Sequence, residues 1–122
     1  MIAPLILISG PSGSGKTTLA RMLLSHYKDL HFVATYTTRA PRPGEVNGRD
    51  YFFVTKEIFI QLDNAHAFLE TNNYAGTWYA TPRSALHKLR NNIACLVVPD
   101  VNGGIAIAQQ VSNIIPFWID II

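Results

Sequence analysis

An α/β fold, with a parallel sheet flanked by helices and a mixed α+β stretch inserted into it, is predicted by three observations. The continuous apolar run Leu5–Ser9 passes through a glycine-rich turn into helical spacing, which is how a βαβ unit opens. A second apolar run, IACLVV at 93–98, has the composition of a strand covered on both faces. Between them, residues 35 to about 80 abandon both patterns for aromatics, Pro, Gly and Asn. The 122 residues suit one domain, divided on these grounds into a core, 1–34 and 82–122, and an insertion, 35–81.

After the strand Leu5–Ser9, the helix from Lys16 to about Tyr27 carries Leu19, Met22, Leu23 and Tyr27 on one face. HFVATYTT at 31–38 has strand composition, RAPRPGEVNGRD is a polar loop, and YFFV at 51–54 is strand-like again. Thr55 is placed to cap a helix reaching about Ala67. AFLETNNYAGTWYA reads as two short strands joined by a turn. Thr81-Pro82 predicts another helix start, Thr as N-cap and Pro at the first helical position, with the helix ending near Arg90. IACLVV is followed by a helix over NGGIAIAQQVS, weak because it opens on two glycines, and IIPFWIDII is the last strand.

Composition narrows the classes of function. With 48% hydrophobic residues the chain is globular, and a net charge of +2 gives no bulk reason to expect nucleic-acid binding. All ten Lys and Arg fall between Lys16 and Arg90, so any handling of phosphates belongs to that part. Cys95 is the only cysteine; no intrachain disulfide is possible, and its apolar setting predicts an inert buried thiol, in keeping with the cytoplasm. The apolar start MIAPLILISG is too short to span a membrane and lacks a charged leader, so no membrane partner is expected.

That start runs into GPSGSGKT at 10–17, which fits G-x-x-x-x-G-K-[ST] in full. Gly10, Gly13 and Gly15 let the backbone curl so that N–H groups point inward at phosphate oxygens, with Pro11, Ser12, Ser14 and Thr18 completing the loop. The helix beginning at Lys16 adds its N-terminal partial charge. Lys16 brings a mobile cation to the β and γ phosphates of ATP, and the Thr17 hydroxyl suits the accompanying Mg²⁺. A strand before and an amphipathic helix after the motif are the context of a phosphate loop in a P-loop NTPase core. Downstream, Arg39 and Arg42 stand three apart around Pro41, in a loop whose φ angles Pro41 and Pro43 partly fix. Two guanidinium groups held in this way can fork onto one phosphate dianion.

Residues 37–54, TTRAPRPGEVNGRDYFFV, together with GPSGSGKTTL, closely resemble the guanylate kinase family, whose pattern T-T-R-x-P-R-x-G-E-x-x-G-x-D-Y-x-F-V is met at Thr37, Thr38, Arg39, Pro41, Arg42, Gly44, Glu45, Gly48, Asp50, Tyr51, Phe53 and Val54. The resemblance extends over essentially the whole chain. It implies transfer of the terminal phosphoryl group of ATP to GMP, with Lys16, Arg39 and Arg42 as catalytic residues and Arg39, Arg42, Tyr51 and Tyr79 on the GMP phosphate. ETNNYAGTWYATPR at 70–83 is a looser match, with Thr77, Trp78 and Ala80 replacing the family's Asn, Tyr and Gly. It implies Glu70 against guanine N1 and N2, Thr81 donating to O6, and Thr35 near the base. Ala80 would be crowded if the family's glycine there has a positive φ.

CLVVPDVNGG resembles the family's D-x-D-x-Q-G segment, which implies that Asp100 helps to hold the guanine amine. Val98 stands in place of the first aspartate, the carboxylate near the metal, and Asn102 in place of the glutamine. The family continues into a lid bearing arginines and into C-terminal helices that this sequence lacks, so reduced or lost activity is expected, as is self-association through an exposed C-terminal apolar strand. Two other readings remain open: a non-catalytic module of the same fold that binds nucleotide or a protein partner, and another P-loop kinase of small molecules.

Overall fold

The computed structural model describes residues 2–11 and 15–119. Its elements run β1 (Leu5–Ser9), α1 (Lys16–His26), β2 (His31–Phe32), β3 (Thr35–Thr37), β4 (Tyr51–Phe53), α2 (Lys56–Asn64), β5 (Phe68–Tyr74), β6 (Thr77–Pro82), α3 (Ser84–Arg90), β7 (Cys95–Val97), α4 (Val101–Gln110) and β8 (Ile114–Trp118). They form two four-stranded sheets, of order β2-β7-β1-β8 and β4-β3-β6-β5.

The first sheet is parallel throughout. Its central strands are apolar at every position but Ser9, whose hydroxyl donates to the Pro99 carbonyl, because both faces are covered, and the two-residue period sorts their side chains. Leu5, Leu7, Cys95 and Val97 pack with Ala85 and Leu89 of α3 and Ile107 of α4. Ile6, Ile8, Leu96 and Val98 pack with Leu19, Ala20, Leu23 and Leu24 of α1. Each such fully buried side chain stabilises the fold by roughly 1.5–3 kcal/mol. The expected α/β architecture is present, with one adjustment to α1. Met22 and Tyr27 are exposed, because the face laid on the sheet is centred on Ala20 and Leu23 instead. Cys95 is fully buried, and burial raises its thiol pKa.

The second sheet is mixed: β3 pairs in parallel with β4, while β6 is antiparallel to both β3 and β5. Under it, α2 buries Phe59 against Phe68 and Ala80. Thr55 caps α2 as expected, its hydroxyl accepting from the Ile58 N–H at 3.2 Å. The hairpin β5–β6 turns through Ala75 and Gly76, both at positive φ (52° and 82°). Ala80 has no positive φ and lies buried in β6, so the backbone conformation that would strain an alanine there is not adopted.

Two sequence expectations are corrected. HFVATYTT forms two short strands in different sheets. Val33 and Ala34 bridge them as buried residues, with the Val33 N–H on the Leu96 carbonyl at 2.8 Å, so the chain crosses between sheets without exposing apolar side chains. Thr81 is not an N-cap. The β5–β6 ladder holds it opposite Glu70, β6 runs on to Pro82, and Arg83 takes the N-cap position of α3 without a side-chain cap. The Arg83 N–H and guanidinium bond the Ala67 and Phe68 carbonyls, extending the hairpin and delaying the helix.

The doubtful helix over 102–112 forms as α4 because Asp100 caps it and its glycines pack closely. A Cβ on Gly104 would stand 3.2 Å from Ser9 and from Trp118. At the sheet edge, Ile115, Phe117 and Trp118 of β8 are exposed. No described helix is long and apolar enough to cross a membrane.

Candidate active site

The end of β1 delivers Gly10 and Pro11 to the floor of a cleft of about 260 Å³. Ser12, Gly13 and Ser14 lie outside the described residues. At Gly15 the backbone takes φ +93°, which a glycine adopts without strain, and α1 starts there with no side-chain cap and no acidic residue in its first turn. Its leading N–H groups are therefore left to an anion. The Lys16 Nζ donates to the Gly10 carbonyl at 2.7 Å. Burial lowers its pKa and the Asp100 carboxylate opposes that shift. Thr17 and Thr18 are exposed on the first turn; Thr17 lines an adjoining cavity of about 640 Å³ rather than the cleft itself.

All eight residues expected around the acceptor nucleotide, Thr35, Arg39, Arg42, Tyr51, Glu70, Tyr79, Thr81 and Asp100, line the same cleft as Lys16. They form two groups. In the first, Arg39 makes a forked ion pair with Glu45, Nη1 to Oε1 at 2.8 Å and Nη2 to Oε2 at 3.0 Å, and Nη1 also donates to the Ala40 carbonyl at 2.9 Å. The guanidinium lies over the Tyr51 ring, 5.1 Å from its centroid. Of five N–H donors on an arginine, three are committed and two remain. The Glu45 carboxylate raises the Arg39 pKa further, and Arg39 in turn lowers that of Glu45. Glu45 also accepts from the Arg42 N–H at 2.7 Å, so one carboxylate holds both arginines of the loop. Burial, chiefly, raises the Tyr51 pKa, which keeps the phenol a neutral donor. Its ring centroid is 6.3 Å from that of Tyr79.

The second group starts two residues further along β6. Thr81 donates to Glu70 Oε1 at 2.9 Å, while Glu70 Oε2 is buried with no partner. Burial raises the Glu70 pKa; Asp100 adds to this and the Thr81 hydroxyl opposes it. Asp100 caps α4 through Oδ1, which accepts from the Gly103 N–H at 3.0 Å, and its Oδ2 accepts from the Asn72 side-chain amide. Gly103 is where this end is tightest. A Cβ there would lie 2.8 Å from Asp100 Oδ1 and 3.2 and 3.3 Å from the two Glu70 oxygens. Gln110 of α4 donates to the Leu69 carbonyl at 2.9 Å and ties the helix to the hairpin that carries Glu70.

Glu45 and Asn72 hold functional side chains in place without having been expected to from the sequence. Glu45 carried a signal, a carboxylate three residues past Arg42 in the same loop; Asn72 carried none, because its partner lies 28 residues away. Val98 lines the cleft where the family pattern has a carboxylate. Among the described residues no cluster of three His, Cys, Asp or Glu could hold a metal.

A sequence model of the family described as guanylate kinase matches residues 2–121. The guanylate kinase of Trichormus variabilis is 49% identical over 82 residues, covering 67% of this chain and 41% of that protein. That of Prochlorococcus marinus is 42% identical over 113 residues, 92% of this chain and 59% of that protein. The crystal structure of guanylate kinase from Anaplasma phagocytophilum superposes with a TM-score of 0.83 at 26% identity, covering 98% of this chain and 60% of that one. The chain thus spans about half the length of the relatives it matches.

Proposed function

The chain belongs to the guanylate kinase family, and from that premise we propose that its cleft binds GMP beside the phosphates of ATP and serves phosphoryl transfer between them in the cytoplasm. The observation that carries this reading is the convergence of Arg39, Arg42, Tyr51 and Tyr79 with Glu70, Thr81 and Asp100 in one cleft reached by Lys16. Tyr79 and Thr81, two positions apart on one strand, set the two groups about 7 Å apart, a fitting distance for one nucleotide to reach both. Residues 1–34 and 82–122 act as the core that holds ATP, and 35–81 as the GMP-binding insertion.

At the phosphate, the two uncommitted N–H donors of Arg39, the Arg42 guanidinium and the Tyr51 and Tyr79 hydroxyls neutralise and orient the dianion. At the base, guanine supplies N1–H and an exocyclic amine to a pair of carboxylates, one of which has an oxygen without a partner. Thr81 has a single O–H, which in the free chain goes to Glu70. Once guanine N1–H satisfies Glu70, that hydroxyl is released to donate to O6. The one Thr81–Glu70 bond is exchanged for several bonds whose donors are matched to guanine. Adenine presents an acceptor at N1, which a carboxylate repels. Lys16 and the uncapped start of α1 take the ATP phosphates, and phosphoryl transfer then depends on position and charge neutralisation.

Mg²⁺ would arrive with ATP as part of that substrate. Thr17 is the side chain offered to it. Val98 is apolar where the family pattern has a carboxylate, and no cluster of three metal-binding side chains forms among the described residues. That observation favours a second reading, a nucleotide-binding chain with little turnover. Titration with GMP, IMP and AMP beside a coupled ATP plus GMP assay tests both. GMP should bind tightest, IMP next and AMP weakest, since a site built for specific donors rejects analogues that lack them. AMP binding as tightly as GMP would remove the guanine assignment; selective binding without turnover would select the second reading.

A further inference from the structure

The Asp100 carboxylate is held from two directions. The Gly103 N–H, at the start of α4, takes Oδ1 at 3.0 Å, and the Asn72 amide, reaching across from β5, takes Oδ2. Asn72 follows Glu70 by two residues on the same strand, so both side chains leave the same face. Across the ladder Glu70 pairs with Thr81 and Asn72 with Tyr79. Asn72 thus stands between the base group and the phosphate group, and its bond is a side-chain link from the second sheet to the helix that starts beside Glu70.

A carboxylate offers about four lone-pair positions. With one taken on each oxygen, the remaining pair of positions faces a fixed direction. Take away the Asn72 donor and Asp100 is anchored through Oδ1 alone, free to rotate about its last torsion toward the Lys16 ammonium, a charge it already feels. We propose that Asn72 is a positioning residue that fixes the Asp100 carboxylate as acceptor for the exocyclic amine of the purine, and so sets the preference for GMP over IMP. This rests on the reading that the cleft takes GMP.

GMP and IMP differ only in that amine, so the ratio of their affinities isolates the effect. Equilibrium titration with both nucleotides is run on the wild type, Asn72→Ala, Asn72→Asp and Asn72→Ala in an Asp100→Ala background, with a thermal melt of each. Asn72→Ala should lower the GMP-to-IMP affinity ratio roughly three- to tenfold, in the lower part of the range of couplings within one hydrogen-bonded network, and leave IMP nearly unchanged. Asn72→Asp keeps the shape but not the donor, and should lose at least as much. In the Asp100→Ala background, removing Asn72 should change the ratio no further. Equal losses for the two nucleotides, or a folded Asn72→Asp protein with the wild-type ratio, overturn the proposal. If the wild type itself does not prefer GMP to AMP, the GMP reading falls and takes this inference with it. A wild type that does prefer GMP, with an unmoved ratio in the variants, removes this inference alone.

Discussion

At one end of the cleft Arg39 commits three of its five N–H donors inside the chain, to Glu45 and the Ala40 carbonyl; at the other, Glu70 buries an oxygen that has no donor at all. The arginine loop carries its own counter-charge and is set before any ligand arrives. The carboxylate pair makes no ion pair in contact among the described residues, and lies crowded against the start of α4. A buried unmade hydrogen bond costs about 1–3 kcal/mol, more for a charged group. The loop therefore contributes affinity by adding bonds to an organised site, whereas the base end gains affinity by relieving a cost the free protein already carries. Preorganisation and stored polar cost are two routes to recognition, placed a few ångströms apart in one cleft.

The contrast is tested most severely by Arg39→Ala. A charge-assisted bond is worth about 1.5–3 kcal/mol, roughly ten- to a hundredfold in affinity. GMP should weaken by that factor while guanosine, which lacks the phosphate, changes little. Calorimetric titration with both ligands checks it; matching losses for GMP and guanosine would mean that the loop does not serve the phosphate.

Glu70→Gln should invert the pattern with a smaller effect. The amide presents one acceptor oxygen, so GMP and guanosine should both weaken, by roughly tenfold, and the gap to AMP should narrow. The free protein should gain stability, because the substitution removes a buried charge facing Asp100. The sign with pH follows from the raised folded-state pKa of Glu70 against its ordinary 4.5. The protonated folded form is favoured, so this contribution is fully present below the unfolded pKa and is lost as pH rises through the folded one. Wild-type stability relative to Glu70→Gln should fall across that window. GMP needs the ionised carboxylate and should release protons there, apart from those of its own phosphate, whose second pKa is near 6. Denaturant melts from pH 4 to 7 give the first quantity, and calorimetry in buffers of different ionisation heat the second; a stability difference that does not vary with pH would contradict the assignment.

These two ends were not equally legible in the sequence. Local rules sufficed for β1, the glycine turn and α1, for β7 with its two covered faces, and for the cap at Thr55, because each depends on neighbours a few residues apart. The arginines could be read because Arg39, Pro41 and Arg42 are adjacent, and even Glu45 lies within the same loop. The base end required tertiary structure. Nothing local to Asn72 points to Asp100, and nothing near Thr81 says that its hydroxyl belongs to Glu70 across a hairpin rather than to a helix start. The break at Val33–Ala34 was hidden for the same reason. A strand-like composition does not state which sheet each half joins, since that is decided by the Val33 N–H finding the Leu96 carbonyl.

The smallest expected effect, and the most diagnostic of crowding, comes from Gly103→Ala. Alanine in place of glycine inside a helix favours folding by roughly 0.5–1 kcal/mol. Here the new Cβ would meet Asp100 Oδ1 at 2.8 Å and the Glu70 oxygens at 3.2 and 3.3 Å. Asp100 Oδ1 is also the acceptor for the Gly103 N–H, so pushing it away weakens the cap of α4, itself worth about 1 kcal/mol. The two effects oppose one another, and the melting temperature should move little. The carboxylates, however, must turn outward into the space the guanine edge would occupy. GMP and guanosine should therefore both weaken by about threefold, close to 0.7 kcal/mol, with their ratio unchanged. Stability and affinity are then uncoupled at a residue that need not touch the ligand. A destabilised protein with normal guanosine affinity would show that α4 yields rather than the carboxylates, and that the base end is less tightly set than the arginine loop is.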